Sequence, residues 1–306
     1  MLNYLIKRIF TAFVVLLGVS TMVFLLIHLV PGDPVQAMLG EAAQPADLES
    51  MRIALGLHQP LYQQWLGFMN DLLHLDLGES FYSRRDISLL LLERLGPTVL
   101  LAMASILMAI FIAAPLGILA AMNKDSYWDS LAMGFSTLGI AIPNFWMGPL
   151  LILVFSIGLG WLPVSGSAGI SSLILPAITL GTAMAALLSR MIRSSLLEVL
   201  TEEYITAARA RGLSPARIIL HHAMPNAALP VITVLGIQLG GLLAGAVITE
   251  TIFSWPGVGQ LTIESIQRRD YPVVQACILL ISFSYVLVNL LTDLFYVVLD
   301  PRVRLE

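Results

Sequence analysis

Six stretches of the chain are long and apolar enough to cross a bilayer, at residues 9–30, 98–122, 131–157, 172–192, 229–250 and 274–299. A helix needs roughly 20 apolar residues to traverse the hydrocarbon. Inside lipid the backbone must satisfy its own hydrogen bonds, so such runs fold as helices. The 306-residue composition agrees, at 58% hydrophobic and 12% charged; soluble domains carry about a quarter charged residues. The expected fold class is therefore an all-α polytopic membrane protein with six transmembrane helices. Pro143 and Pro149 fall within the third run and predict a kink there. Pro176, Thr179, Thr182 and Ser189 dilute the fourth.

Lys7 and Arg8 precede the first run, as in a signal peptide. That run is longer than a typical h-region of roughly 7–15 residues, and no small-x-small site follows it, so it reads as a retained span. Orientation follows from lysine and arginine in the short loops. With both termini cytoplasmic, ten of the sixteen basic residues lie inside, and the 158–170 loop outside carries no charge. The organisation is then 1–8 cytoplasmic, 9–30 first span, 31–97 an external helical cap and 98–299 the remaining spans. A cytoplasmic loop covers 193–228, and a cytoplasmic tail covers 300–306. Within the cap, 48–55 and 61–75 have helical apolar spacing, with Trp65, Phe68 and Leu72 on one face.

Several chemistries lack their residues. Lys7 and Lys124 are the only lysines, and neither follows a GxxxxGK[ST] loop, so the chain shows no nucleotide site of its own. Cys277 is the single cysteine, which excludes an internal disulfide. His28, His58, His74, His221 and His222 do not cluster with carboxylates at ligand spacing. No Ser/His/Asp set or HExxH motif is present, so no catalytic residue, metal or cofactor is assigned. Gly236 and Gly240 form a small-xxx-small pair suited to close helix packing.

The polar 201–225 segment, TEEYITAARARGLSPARIILHHAMP, lies between two apolar runs. It reads as two short helices broken at Gly212, where a positive φ is expected. Ser214 and Pro215 supply an N-cap and a first-turn proline for the second helix. Arg209, Arg211 and Arg217 would face the aqueous side; contact of these arginines with anionic lipid is the simpler alternative.

Ala207-Ala208-x-x-x-Gly212, nine residues, then His222-Ala223-Met224-Pro225, resembles the EAA loop of ABC importer permeases, with Thr206 in place of the glutamate. Further segments resemble the peptide/nickel branch of that family along almost the whole chain. They include Ile142-Pro143-Asn144-Phe145-Trp146, Trp255-Pro256-Gly257-Val258-Gly259 and Arg269-Asp270-Tyr271-Pro272. The resemblance implies a type I importer permease of the bacterial inner membrane, carrying di- or oligopeptides, with nickel or glutathione as alternatives. It implies a second, homologous permease, two cytoplasmic ABC ATPase subunits that bind ATP and Mg, an extracytoplasmic substrate-binding protein and membrane lipid. It implies no nucleic acid.

On that resemblance, contact with the ATPase falls to Glu203, Thr206, Ala207, Ala208, Arg209, Arg211, Gly212, Ser214, Pro215 and Pro225. The translocation path or gate falls to Asn144, Phe145, Trp146, Glu250, Trp255 and Asp293. Glu250 is expected either to pair with Arg268 or Arg269 or to meet a substrate amine. Trp255 is expected at the headgroup level. Asp293, an ionisable residue within a span, is expected near a cavity or an inner-gate network. A stand-alone secondary transporter or channel is the rival class, but such proteins commonly show internal repeats, which this sequence lacks.

Overall fold

The structure is a computed structural model describing residues 2–29, 34–39, 44–54 and 56–299. Val30 at the end of the first expected span, and the tail 300–306, lie outside the described residues. Among those described, the chain is helical apart from loops and one isolated bridge between Glu79 and Asp86. The helices are α1 Leu2–Leu29, α2 Pro34–Leu39, α3 Pro45–Ala54, α4 Leu61–Leu73, α5 Ile87–Met122, α6 Tyr127–Ala141, α7 Asn144–Leu151 and α8 Ile170–Val199. They continue as α9 Glu203–Ala210, α10 Pro215–Arg217, α11 Met224–Ile252, α12 Val258–Gln267 and α13 Tyr271–Leu299.

Five of these helices are long and apolar enough to cross a membrane, and a bent pair makes a sixth candidate. That pair corrects the third expected span. Tyr127–Ala141 and Asn144–Gly158 meet at 104°, which is a break and not a kink. The cause is local. The residue before a proline is driven out of the helical region; Ile142 is extended (φ −90°, ψ 114°) ahead of Pro143. Pro149 does not break α7, but π-helical spacing takes over three residues later, at Ile152–Gly158. The second expected span also begins earlier, at Ile87, because the apolar pattern runs back through Leu89–Leu92.

The chain divides into two compact units, one of Met1–Thr98 with Pro256–Leu287 and one of Val99–Trp255 with Val288–Glu306. The first has a small core of Ile87, Leu90 and Leu91 from α5, Val258 and Leu261 from α12, and Val273, Ala276 and Cys277 from α13. Polar bonds close it. The Val258 N–H donates to Thr98 Oγ1 at 2.9 Å, fixing the start of α12. Asp270 accepts from Ser80 Oγ at 2.6 Å and from the Phe81 and Tyr82 amides at 3.3 Å each, anchoring the loop before α5. Arg268 lies over the Tyr82 ring, 4.3 Å from its centroid.

In the second unit α8 is the most buried long helix, and close backbone approach explains why. A Cβ on Gly181 would lie 2.9 Å from the Ser105 carbonyl of α5, and one on Gly139 of α6 would lie 3.2 Å from the Thr182 carbonyl. Packing of this kind, where lipid supplies no competing hydrophobic drive, depends on small residues. Interhelical polar bonds add to it. Ser136 and Ser189 hydroxyls lie 2.6 Å apart. Arg193 of α8 donates two bonds to Asp129 of α6.

Candidate functional site

The polar loop is a folded hairpin rather than a free knob. After Leu200, α9 forms one amphipathic turn pair. Ile205 and Ala208 face inward and join a core with Ile218, Ala223 and Ala227. Glu203, Thr206 and Ala207 lie on the exposed side, flanked by Arg209. The two alanines of the motif therefore do different work. Ala208 is 6% exposed and packs in the core, which corrects the expectation that both present a surface to a partner.

Gly212 makes the reversal, at φ +74°, and a Cβ there would meet nothing within 4 Å. This left-handed conformation is cheap for glycine and costs other residues. Ser214 occupies the N-cap position of α10 and Pro215 its first turn, but the Ser214 side chain makes no capping bond. Its carbonyl accepts from the Ile218 amide at 3.0 Å.

The second arm is not a short helix. From Pro215 the chain stays helical through α10, a π-helical stretch Ile218–Ala223, and α11 to Ile252. Pro225, expected as the end of the loop, is the second residue of α11 and sits inside that continuous run. Proline has no N–H to donate, so a regular ladder cannot close across it; the π spacing lies immediately before it.

Sequence reasoning missed the pair that locks the hairpin. Asn226 Nδ2 donates to Tyr204 Oη at 2.7 Å, joining α9 to α11. Twenty-two residues separate them, and neither stands out locally. It also missed the Asp129–Arg193 bridge. Its only signal was opposite charge at neighbouring span ends.

The residues expected on the path do not form one site. α7 packs on the end of α11, where a Cβ on Gly148 would lie 3.3 Å from Ile252 and Phe253. Asn144, Phe145 and Trp146 thus begin a helix beside the Glu250–Trp255 segment. Phe145 and Trp146 are exposed, whereas Glu250 is fully buried. Trp255 is 3% exposed and belongs to the core, with its amide donating to the Glu250 carbonyl at 2.8 Å. This corrects its expected place as a surface anchor; nearby, Gly166 in the loop before α8 donates its amide to the Phe253 carbonyl at 2.9 Å and ties that loop to the end of α11. Asp293 is half-buried and follows Thr292, which packs on Gly236. Gly236 lies about 20 Å along α11 from Glu250, at 1.5 Å per residue. Among the described residues no group of three His, Cys, Asp or Glu could hold a metal.

Two family models cover nearly the whole chain. Residues 1–104 match the N-terminal model of a binding-protein-dependent transport system membrane component, and residues 113–305 match the inner membrane component of such systems. The chain belongs to this permease family. Similar relatives are the glutathione transport system permease proteins GsiC of Escherichia coli. The protein from strain CFT073 (O6:H1) is 42% identical, and that from strain K12 is 41% identical, each over 304 residues and 99% of both chains. Among solved structures, the inward-facing MetNI methionine ABC transporter matches with a TM-score of 0.60 at 19% identity, covering 69% of this chain and 96% of that chain. An amino acid ABC transporter solved with histidines gives 0.53 at 16% identity, covering 68% and 94%. These two show the fold alone. The permease is thus an inner-membrane component of a binding-protein-dependent ABC importer, and an ATPase and a substrate-binding protein are its functional partners.

Proposed function

We propose that the permease forms half of a two-permease pore that imports glutathione or a peptide of similar size. The observation behind the substrate is the 42% identity, over 99% of both chains, to a glutathione permease. This narrows the di- or oligopeptide reading to a tripeptide-like cargo and leaves nickel without a supporting ligand set. In this reading the permease hydrolyses nothing. Two ATPase subunits do so, each holding one permease by its coupling hairpin.

The hairpin suits that role. Glu203, Thr206 and Ala207 of α9, with Arg209, Arg211 and the Gly212–Pro215 turn, form its exposed edge. Closure of the ATPases on ATP moves the two hairpins together. The bundles then rock between an inward-open and an outward-open arrangement, and hydrolysis resets them. A ligand-driven shift of this kind requires differential contact with the two states, which the ATPase supplies at the hairpin.

The test is uptake of labelled glutathione by vesicles holding the permease with the companion proteins that co-purify with it. Uptake should need ATP and the binding protein and should be competed by unlabelled glutathione. Dipeptide uptake that glutathione does not compete would overturn the substrate. Uptake by the permease alone, without ATP, would overturn the importer assembly.

A further inference from the structure

The helix α4, LYQQWLGFMNDLL, follows the first span in what composition presents as an external cap, yet Asp71 is its only charged residue. At 100° per residue its side chains fall into three arcs. Trp65, Phe68 and Leu72 form one, with Leu61 at its exposed first turn. Tyr62, Leu66, Met69 and Leu73 form a second, beside it. Gln63, Gln64, Gly67, Asn70 and Asp71 fill the remainder.

The first arc is covered by α1. Trp65 Nε1 donates to Thr21 Oγ1 at 3.2 Å, the Phe68 and Phe24 rings lie 5.7 Å apart, and Gln64 Oε1 is 3.0 Å from His28 Nε2. The polar arc borders a recess of about 340 Å³ whose lining includes Gln63, Gln64, Asp71, His28 and Gln275. The second arc is left open: Tyr62 is 63% exposed, Leu66 55% and Leu73 83%.

Depth decides what covers it. The candidate membrane span of α1, Ile6–Leu29, has 24 residues. That is about 36 Å of helix against about 30 Å of hydrocarbon, so centring leaves about 3 Å over at each end. Thr21 lies eight residues before Leu29, about 12 Å down the helix and so about 9 Å inside the hydrocarbon. A helix whose Trp65 reaches Thr21 cannot ride above the membrane. Thr21 also donates to the Leu17 carbonyl at 2.8 Å. The indole N–H and the hydroxyl therefore satisfy each other at a level where water is absent. On the same stretch of α1, Met22 and Leu29 are each 72% exposed, so α1 and α4 both leave apolar side chains uncovered there.

We propose that α4 is an interfacial helix sunk beside α1 into the outer leaflet, with Tyr62, Leu66 and Leu73 seated among phospholipid acyl chains and Gln63 and Asn70 turned to water. An apolar and aromatic stripe opposite a polar face is the arrangement by which a helix lies in the interface, and here glutamine and asparagine supply the polar face. The segment after the first span then belongs in part to the bilayer and is not wholly a cap above it. The inference rests on membrane location and not on the cargo, so its failure would leave the glutathione reading standing.

Single cysteines L66C and L73C on the stripe, and Q63C and N70C on the polar arc, would carry nitroxide labels in the assembled transporter in phospholipid nanodiscs. M22C on α1 calibrates the hydrocarbon. The native Cys277 is fully buried and stays unlabelled. Collisions with dissolved oxygen, which concentrates in lipid, are compared with collisions with a water-soluble nickel chelate. Labels at 66 and 73 should follow 22, with oxygen dominant, and labels at 63 and 70 should show the reverse. Chelate dominance at 66 and 73 would put the stripe in water. Exclusion of both reagents there would mean that a protein covers it, the second permease or the binding protein. Either result overturns the proposal.

Discussion

Arg193 holds Asp129 by a two-bonded fork, Nε to Oδ1 at 2.7 Å and Nη2 to Oδ2 at 2.6 Å, across 64 residues of sequence. Asp129 stands in the first turn of α6, where it also accepts the Asp125 amide at 3.0 Å and where a carboxylate favours the helix dipole. Its side chain is 6% exposed and that of Arg193 26%.

Removing one partner from a buried pair costs about 3–5 kcal/mol. Because Arg193 keeps partial access to water, D129A should cost less, roughly 2–3 kcal/mol. Its melting midpoint in detergent should fall accordingly. R193K keeps the charge but loses the fork and should fall between wild type and D129A. Equal midpoints for all three would remove the bridge from any structural role.

Ala207 and Ala208 are adjacent and should separate cleanly. A208L forces extra volume into a packed core and should destabilise by about 1–3 kcal/mol. A207L lies on the exposed edge and should shift stability by no more than about 0.5 kcal/mol, while reducing the ATPase recovered with the permease on purification. A stable A207L that retains its full complement of ATPase would remove Ala207 from the docking surface.

Gly212 should respond to conformation and not to size, since its surroundings are open. G212V places a β-branched residue at φ +74°, a strain of roughly 1–2 kcal/mol for a left-handed residue. It should lower uptake while ATP hydrolysis and membrane insertion persist. G212N tolerates that region and should transport nearly as wild type. Equal uptake by the two variants would show that the turn's conformation is not what matters.

Gly236 and Gly241 lie five residues apart on α11 and make opposite predictions. A Cβ on Gly236 would overlap Thr292 Cγ2 of α13 and approach its Oγ1 to 2.8 Å, whereas one on Gly241 meets nothing within 4 Å. G236A should destabilise by about 1–3 kcal/mol, G241A should not, and T292A should recover much of the loss in G236A. Thermal melting of the four variants checks this, and an additive double mutant would deny the contact.

The spans were legible because each one is a long apolar run that physics allows to be little else. The hairpin was legible through Gly212, whose φ the break between two polar helices demanded. What sequence could not supply was direction. Ala207 and Ala208 look identical until α11 determines which of them is inside. Trp255 reads as an interfacial residue by type, yet it is buried and belongs to the core. Pro143 announces a disturbance, but the residue type alone does not give its size, a bend of 104°. The Asp129–Arg193 and Tyr204–Asn226 pairs join distant positions, and no local pattern marks either.

The hairpin's two arms differ in one respect that bears on how movement is handed inward. On the α9 side there is a joint at Gly212. On the other side no non-helical residue intervenes between Pro215 and Ile252. Arg217 is thus joined to α11 by unbroken helix, with the π-helical stretch, Pro225 and Pro230 as the places along it where bending is cheapest, and α11 meets α13 where Gly236 packs on Thr292.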